Sequence, residues 1–404
     1  MKNFKEIKGG ITAPKGFLAS GVVSGIKKSG NKDVALIYSE NLAQVAGVFT
    51  TNQCAASSVI LSKENCKGGS AQAIIVNSGN ANACTGDRGY QDSKAMIGQV
   101  AESLDLEDNQ VVLSSTGIIG EFLEMEKIKV GIDKAVTSLS SQGGRDAAEA
   151  IMTTDTYAKE LALEIMIGNK VVKLGGIAKG SGMIEPNMAT MLGFITTDIA
   201  INSQLLKEAL KTAVNKSFNK ITVDGDQSTN DMVSILANGQ AENNQITEKN
   251  EQYYKFVEAL NYLCTYLAQQ IVRDGEGATK FVEIEVKGAL SSESAEKAAK
   301  KIANSNLVKT AIFGEDPNWG RIIAAVGACG VELDLSKIEI KINDLLLLAK
   351  NQEVIKHSSE EKSKLLKEKD IKVEVDLNLG SVSEVVWTCD LSYKYVEING
   401  EYHT

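Results

Sequence analysis

The chain has 404 residues, with 43 Lys and Arg against 52 Asp and Glu; the net charge of −9 supplies no basic excess with which to bind a nucleic-acid backbone. Apolar residues at 43% and charged residues at 24% are ordinary globular composition. Two His (His357 and His403) and six scattered Cys without a C-x-x-C pair argue against a histidine-based hydrolase, a zinc or iron–sulfur site and a disulfide scaffold.

At about 150 residues per domain the length suggests two or three domains or two intertwined halves. No stretch reaches the roughly 18 uncharged apolar residues that span a bilayer, and the N-terminal stretch lacks a signal-peptide core. A soluble cytoplasmic protein with no membrane or nucleic-acid partner is expected.

In chain order, Asp33–Tyr38 (DVALIY) and Ala73–Val76 (AIIV) read as strands from their density of Val, Ile and Tyr. Gln91–Leu104 places Ala95, Met96, Val100 and Leu104 near one face and reads as a helix. Val111–Leu113 is a short strand. Leu163–Leu174 reads as a hairpin in which Gly168-Asn169 separates EIMI from VVKL. Asn202 or Ser203 caps a helix carrying Leu206, Leu210, Ala213 and Val214.

Asn250–Val272 is the clearest helix, with Phe256, Leu260, Leu263, Leu267 and Ile271 at helical spacing. Phe281–Val286 alternates as a half-buried strand, Glu293–Ala303 is an Ala-rich helix, and Ile338–Asn343 is a second alternating strand with the apolar run Leu345–Leu348 behind it. Ser358–Lys369 mixes both charges densely and reads as a solvated helix or loop. The hairpin breaks regular strand–helix alternation, so the class is α/β or α+β with substantial mixed or antiparallel sheet. Composition marks no domain boundary.

Several stretches carry residues suited to chemistry. Asn77–Gly86 (NSGNANACTG) follows AIIV and reads equally as a turn network or as a ligand site at a strand end. In Ser114–Gly120 (SSTGIIG), backbone N–H groups near glycine and the Thr116 hydroxyl can converge on a negative oxygen. A strand-to-helix turn is the commoner meaning of such a string, and without a GK[ST] ending it is not a P-loop. Asp224–Asp231 (DGDQSTND) lacks the EF-hand order and reads as a turn or the wall of a polar cleft rather than a metal site. Asp274–Lys280 (DGEGATK) reads as a helix-ending loop in which Glu276 could meet a positive ligand group. Asn318–Ile322 (NWGRI) reads as a structural anchor, with Trp burying area and Arg tying carbonyls.

Lys179–Gly193 (KGSGMIEPNMATMLG) is the densest of these stretches. A Thr in an apolar run is ordinarily a strand residue. Here turn residues surround Thr190, and no well-placed His could activate another nucleophile. An N-terminal Thr carries its own base, because an α-amine titrates near ~7.7. For Thr190 this requires cutting the Ala189–Thr190 bond: its hydroxyl attacks the Ala189 carbonyl, and the resulting ester hydrolyses to free a new amine.

Lys179-Gly-Ser-Gly-Met-Ile followed by Pro186-Asn-Met-Ala-Thr-Met-Leu resembles the cleavage segment of the ornithine acetyltransferase (glutamate N-acetyltransferase) family of arginine biosynthesis. Further matches occur in order at Val48-Phe-Thr-Thr-Asn, Asn77-Ser-Gly-Asn-Ala-Asn-Ala, Thr116-Gly-Ile-Ile-Gly, Met152-Thr-Thr-Asp-Thr, Thr222-Val-Asp-Gly-Asp, Asp274-Gly-Glu-Gly-Ala-Thr-Lys and Asn318-Trp-Gly-Arg-Ile. One departure is Glu185 before Pro186, where the family usually has His; it bears on the rate or pH dependence of cleavage and leaves the nucleophile in place.

The resemblance implies an α/β, layered mixed-sheet fold of the self-cleaving ArgJ/DmpA-like type, in two intertwined portions. It implies autocleavage into an α chain of residues 1–189 and a β chain of residues 190–404, assembled as α2β2 or larger. Thr190 would carry the acetyl group, and Thr116 and Gly117 would form the oxyanion hole. Thr153, Lys179, Thr190, Glu276, Asn399 and Thr404 would form the substrate site, the last two in a C-terminal NGEYHT that resembles the family's tail. The implied reaction passes acetyl from N-acetylornithine to glutamate without metal or cofactor, with acetyl-CoA as an open alternative donor. A self-processed aminopeptidase or amidase and a noncatalytic amino-acid-binding protein are the rival readings.

Overall fold

A computed structural model describes residues 3–185 and 191–401. The chain divides into two compact units: the first runs through Asn219 and resumes over Asp226–Ile271, and the second comprises Lys220–Gly225 and Val272–His403.

The first unit is built on a nine-stranded mixed sheet. Its strands are β1 (Phe4–Ile7), β2 (Phe17–Val22), β3 (Val34–Phe49), β4 (Ser70–Asn80), β5 (Val111–Ile118), β6 (Lys159–Ile167), β7 (Lys170–Lys179), β8 (Leu192–Thr197) and β9 (Met232–Ala237). Their spatial order is β1-β6-β7-β8-β9-β3-β4-β5, with β2 also paired to β3. The β8–β9 and β4–β5 pairs are parallel, and the other pairs are antiparallel.

Successive residues of the central strands enter two different cores. Val34, Leu36, Ala73, Ile75, Val111 and Leu113 pack with Met96 and Val100 of the helix Gly86–Leu104 and with Ile128 and Ile132 of the helix Met125–Thr137. Ala35, Ile37, Ile74, Val76 and Val112 join the opposite cluster, which includes Phe194 and the helix Gly144–Ala150. Covering both faces requires apolar residues at consecutive positions, which explains the unbroken AIIV run.

The strands outlast their apolar runs. β4 continues through Asn77-Ser78-Gly79-Asn80 and β5 through Ser114–Ile118, because the parallel ladder pairs Asn77 with Ser115, Ser78 with Thr116 and Gly79 with Gly117 whatever their side chains. The expected turns therefore begin later than the sequence suggests. The predicted hairpin is β6–β7, closing at Ile167↔Lys170, with Gly168 at φ 62°. Asn202 Oδ1 accepts from the Leu205 N–H at 2.8 Å and caps the helix Ser203–Lys216. Asn250 does the same for the helix Glu251–Arg273, accepting from the Gln252 and Tyr253 N–H groups.

The second unit holds a six-stranded sheet of β10 (Phe281–Ala289), β11 (Glu339–Ile342), β12 (Leu345–Ala349), β13 (Glu353–Val354), β14 (Asp370–Asp376) and β15 (Val382–Cys389), in the order β13-β12-β11-β14-β10-β15. Val282, Ile284 and Val286 face the core under the helix Ser292–Ala303, while Glu285 pairs with Lys372 at 2.8 Å and Glu283 accepts from Trp387 Nε1 at 3.0 Å. One covered face produces the alternation that the sequence shows. Asn318 caps the helix Trp319–Gly327, and Arg321 Nη1 donates to the Leu307 carbonyl at 2.7 Å, the anchoring role read from NWGRI. The mixed-charge run forms the helix Ser359–Leu365 with a Ser358/Glu361 capping box. Among the described residues no helix is long and apolar enough to cross a membrane.

Candidate active site

Lys179 ends β7 and pairs with Leu192, the first residue of β8; Leu192 in turn lies beside Met232, the first residue of β9. The cleavage segment therefore joins two neighbouring strand ends. Ala189 and Thr190, and likewise Thr404, lie outside the described residues.

Lys179 Nζ donates to Thr153 Oγ1 at 2.7 Å, so two of the predicted substrate residues are in direct contact. Behind them stands Asp155, whose side chain is wholly buried. Its Oδ1 accepts from Lys159 Nζ at 2.7 Å and from the Gly180 N–H at 2.7 Å. Its Oδ2 accepts from the Thr153 N–H at 3.0 Å and lies 3.9 Å from Lys179 Nζ. Burial pushes the Asp155 carboxyl up, but Lys159, Lys179 and the hydrogen bonds outweigh it and hold the group below the usual carboxylate range. Two ammonium groups thus approach the same carboxylate, and Lys179 brings a charged donor to the strand ends that can meet an anion.

In the sequence Asp155 stands out only as a member of the Met152-Thr-Thr-Asp-Thr motif, and Lys159 is not marked as part of the site. The available signal was the Asp155–Lys159 spacing of four, although these residues lead into a strand and the pairing depends on the tertiary fold. Thr153 and Asp155 also line a cavity of about 520 Å³ together with Lys27, Lys32, Arg145 and Glu149. Burial lowers Lys27 to about 8 against the opposing pull of Asp33, and its Nζ donates to the Lys32 and Met152 carbonyls at 2.7 Å each.

Thr116 and Gly117 lie near the end of β5, not in a free turn. Gly117 has φ 133°, and a Cβ there would stand 2.3 Å from the Gly79 carbonyl carbon, so the close approach of β4 and β5 requires glycine. Asn230 ties these strand ends to β9: its Nδ2 donates to the Ala81 carbonyl at 2.7 Å and to the Ser115 carbonyl at 2.8 Å. The next residue, Asp231, is buried and accepts from the N–H of Met191, the residue that follows Thr190. The Asp224–Asp231 stretch thus contributes a polar wall here, through Ser228 and Asn230. Among the described residues no group of three His, Cys, Asp or Glu is placed to hold a metal ion.

In the second unit, Glu276 is 9% exposed and its Oε2 accepts from Asn399 Nδ2 at 2.7 Å. Gly277, at φ 69°, would place a Cβ 2.6 Å from the Tyr395 nitrogen, so the DGEG loop packs closely under the terminal helix Tyr393–Glu401. Ser392 Oγ donates to the Gly277 carbonyl at 2.6 Å. The two predicted substrate residues of this unit are therefore in contact.

A layered α/β scaffold that gathers hydroxyl, ammonium and carboxylate groups where its strands end has the makings of an enzyme's polar site. The profile of the ArgJ family matches residues 18–404. The arginine biosynthesis bifunctional protein ArgJ of Caldanaerobacter subterraneus subsp. tengcongensis is 50% identical over 401 residues, covering 98% of this chain and 99% of the relative. The protein of the same name from Symbiobacterium thermophilum is 47% identical over 400 residues, covering 98% and 99%. The crystal structure of ArgJ from Bacillus halodurans aligns with a TM-score of 0.50 at 48% identity, over 52% of this chain and 98% of the solved one. The chain belongs to the ArgJ family.

Proposed function

We propose that this ArgJ-type acetyltransferase of arginine biosynthesis moves the acetyl group of N2-acetyl-L-ornithine to L-glutamate by a ping-pong route through an acetyl ester on Thr190. The chain first cuts itself between Ala189 and Thr190, and residues 1–189 and 190–404 remain together as α and β chains. The observation that supports the reading is the Lys179–Thr153–Asp155 cluster, which holds an ammonium and a hydroxyl at the strand ends between which Thr190 lies in sequence.

The substrate α-carboxylate binds at Lys179 beside the Thr153 hydroxyl. Glu276, backed by Asn399, receives the ornithine side-chain ammonium, and Thr404 completes the substrate site. The Thr190 α-amine takes the hydroxyl proton as Oγ attacks the acetyl carbonyl. Thr116 and the Gly117 N–H stabilise the oxyanion. The amide C–N bond breaks, the proton passes to the departing ornithine nitrogen, and the acetyl group stays on Thr190. Glutamate then enters and its amine removes the acetyl group by the reverse sequence. One amide replaces another, so the chemistry needs positioning more than an external cofactor. Acetyl-CoA is a candidate second donor, α2β2 the candidate assembly and the cytoplasm the candidate location.

Intact-mass spectrometry tests the reading. Wild-type protein should resolve into two chains that meet at Ala189/Thr190, and N-acetylornithine should add one acetyl group to the 190–404 chain. Thr190→Ala should stay in one piece and transfer nothing; efficient cleavage in that variant excludes self-attack. Consumption of N-acetylornithine that does not require glutamate would identify a hydrolase instead.

A further inference from the structure

Lys159 is a buried cation with no part in the mechanism above. Its side chain is wholly buried, and it begins β6 opposite Ala178, the residue before Lys179. Its Nζ donates to Asp155 Oδ1 at 2.7 Å and to the Tyr157 carbonyl at 3.4 Å, and it sits 4.9 Å from the centre of the Tyr157 ring. A buried ion pair is a poor source of stability, since apolar residues of like volume often serve a fold as well or better. Its presence here calls for a further reason.

The geometry of Asp155 supplies one. Its Oδ1 accepts from Lys159 and from the Gly180 N–H, and its Oδ2 accepts from the Thr153 N–H. One carboxylate therefore grips Thr153 and the residue that follows Lys179. Lys179 Nζ, at 3.9 Å from Oδ2, stands beyond hydrogen-bond length from the carboxylate and donates to Thr153 Oγ1 at 2.7 Å. An ammonium only donates, so Thr153 Oγ1 is the acceptor in that bond and its own proton is turned toward another acceptor. Thr153 lines the cavity of about 520 Å³. An ammonium and a hydroxyl proton are thus held side by side, two donors suited to one carboxylate. Lys159 maintains this arrangement by occupying Oδ1. Without that cation, a wholly buried carboxylate would draw Lys179 into direct pairing and away from Thr153.

We propose that Lys159 and Asp155 are positioning residues for carboxylate recognition: the pair holds the Lys179 ammonium and the Thr153 hydroxyl as adjacent donors to the substrate α-carboxylate. The inference rests on the reading that Lys179 and Thr153 bind that carboxylate. Lys159 touches no substrate in this role and acts through Asp155. The consequence is selectivity. Two donors favour a carboxylate over a carboxamide of the same shape, whose NH2 group would meet donors rather than acceptors.

The paired variant Asp155→Asn with Lys159→Met tests the assignment, because it removes both charges together and leaves neither buried alone. It should fold with a denaturant midpoint close to that of wild type. KM for N-acetylornithine should rise about 10- to 100-fold, with kcat within about threefold of wild type. For the α-carboxamide of N-acetylornithine, KM should differ by less than about threefold between the two proteins, because the lost recognition belongs to the carboxylate. A folded paired variant with wild-type KM for N-acetylornithine overturns the proposal, as does one in which the carboxamide loses as much as the carboxylate.

One measurement needs no variant. In ornithine-free wild-type protein the Thr153 and Gly180 amides, both held by Asp155, should exchange slowly with deuterium. Rapid exchange of both, with protection only after ornithine is added, overturns the proposal. If Lys179→Met leaves KM unchanged, the substrate-site reading itself fails. A raised KM in Lys179→Met beside an unmoved KM in the paired variant sinks this inference alone.

Discussion

Asp155 is held by two lysine ammonium groups and two backbone N–H groups, and its removal should be felt in both stability and binding. Asp155→Asn leaves Lys159 buried without its carboxylate, and loss of one partner of such a pair costs about 3–5 kcal/mol, measurable as a lowered denaturant midpoint. The folded Asp155 carboxyl sits below its unfolded value of ~3.9, so its contribution is full above that pH and is lost as pH falls below it. The stability gap between wild type and Asp155→Asn should be constant near neutrality and close below about pH 4. Lys179→Met removes a charged donor; KM for N-acetylornithine should rise about 10- to 100-fold while the chain still folds. An unchanged KM would remove Lys179 from the substrate site. The charged residues were plain in the sequence, but their arrangement was not: Lys179 and Thr153 meet across 26 positions of chain.

Among the elements, those governed by neighbouring residues were readable from the chain. The Asn202 cap, the Gly168-Asn169 hairpin and the long helix after Asn250 each depend on contacts within a few residues. Asn202→Ala should cost about 1 kcal/mol by equilibrium unfolding, with no effect on acetyl transfer. The ends of β4 and β5 were less readable, because polar residues that resemble a turn are held in a ladder by a strand distant in sequence. Gly117→Ala should be poorly tolerated. Its φ of 133° and the 2.3 Å approach to Gly79 force the two strands apart, so soluble yield and cleavage should both fall. Normal expression and full activity in that variant would show that the close approach of the two strands does not require glycine.

Across the first unit, β8 and β9 follow the expected cut in sequence yet lie inside the sheet, between β7 on one side and β3 on the other. The expected cut therefore falls within one compact unit rather than between two. The α and β chains should elute together from a sizing column in native buffer and part only in denaturant, because separating them would break the β7–β8 and β9–β3 ladders. Two native peaks after cleavage would contradict this.

The linear sequence sufficed for the family and for those helices and strands with a clear apolar period or cap, because motif order, apolar period and capping are properties of short segments. Which strand ends meet was decided by the tertiary structure alone. The contacts of Asn230 with Ser115, of Asp155 with Lys179, and of Asp231 with Met191 follow from a strand order that many distant backbone pairings set together. No local stretch contains that order, so the buried Asp155 meets its two lysines only once the sheet has brought them together.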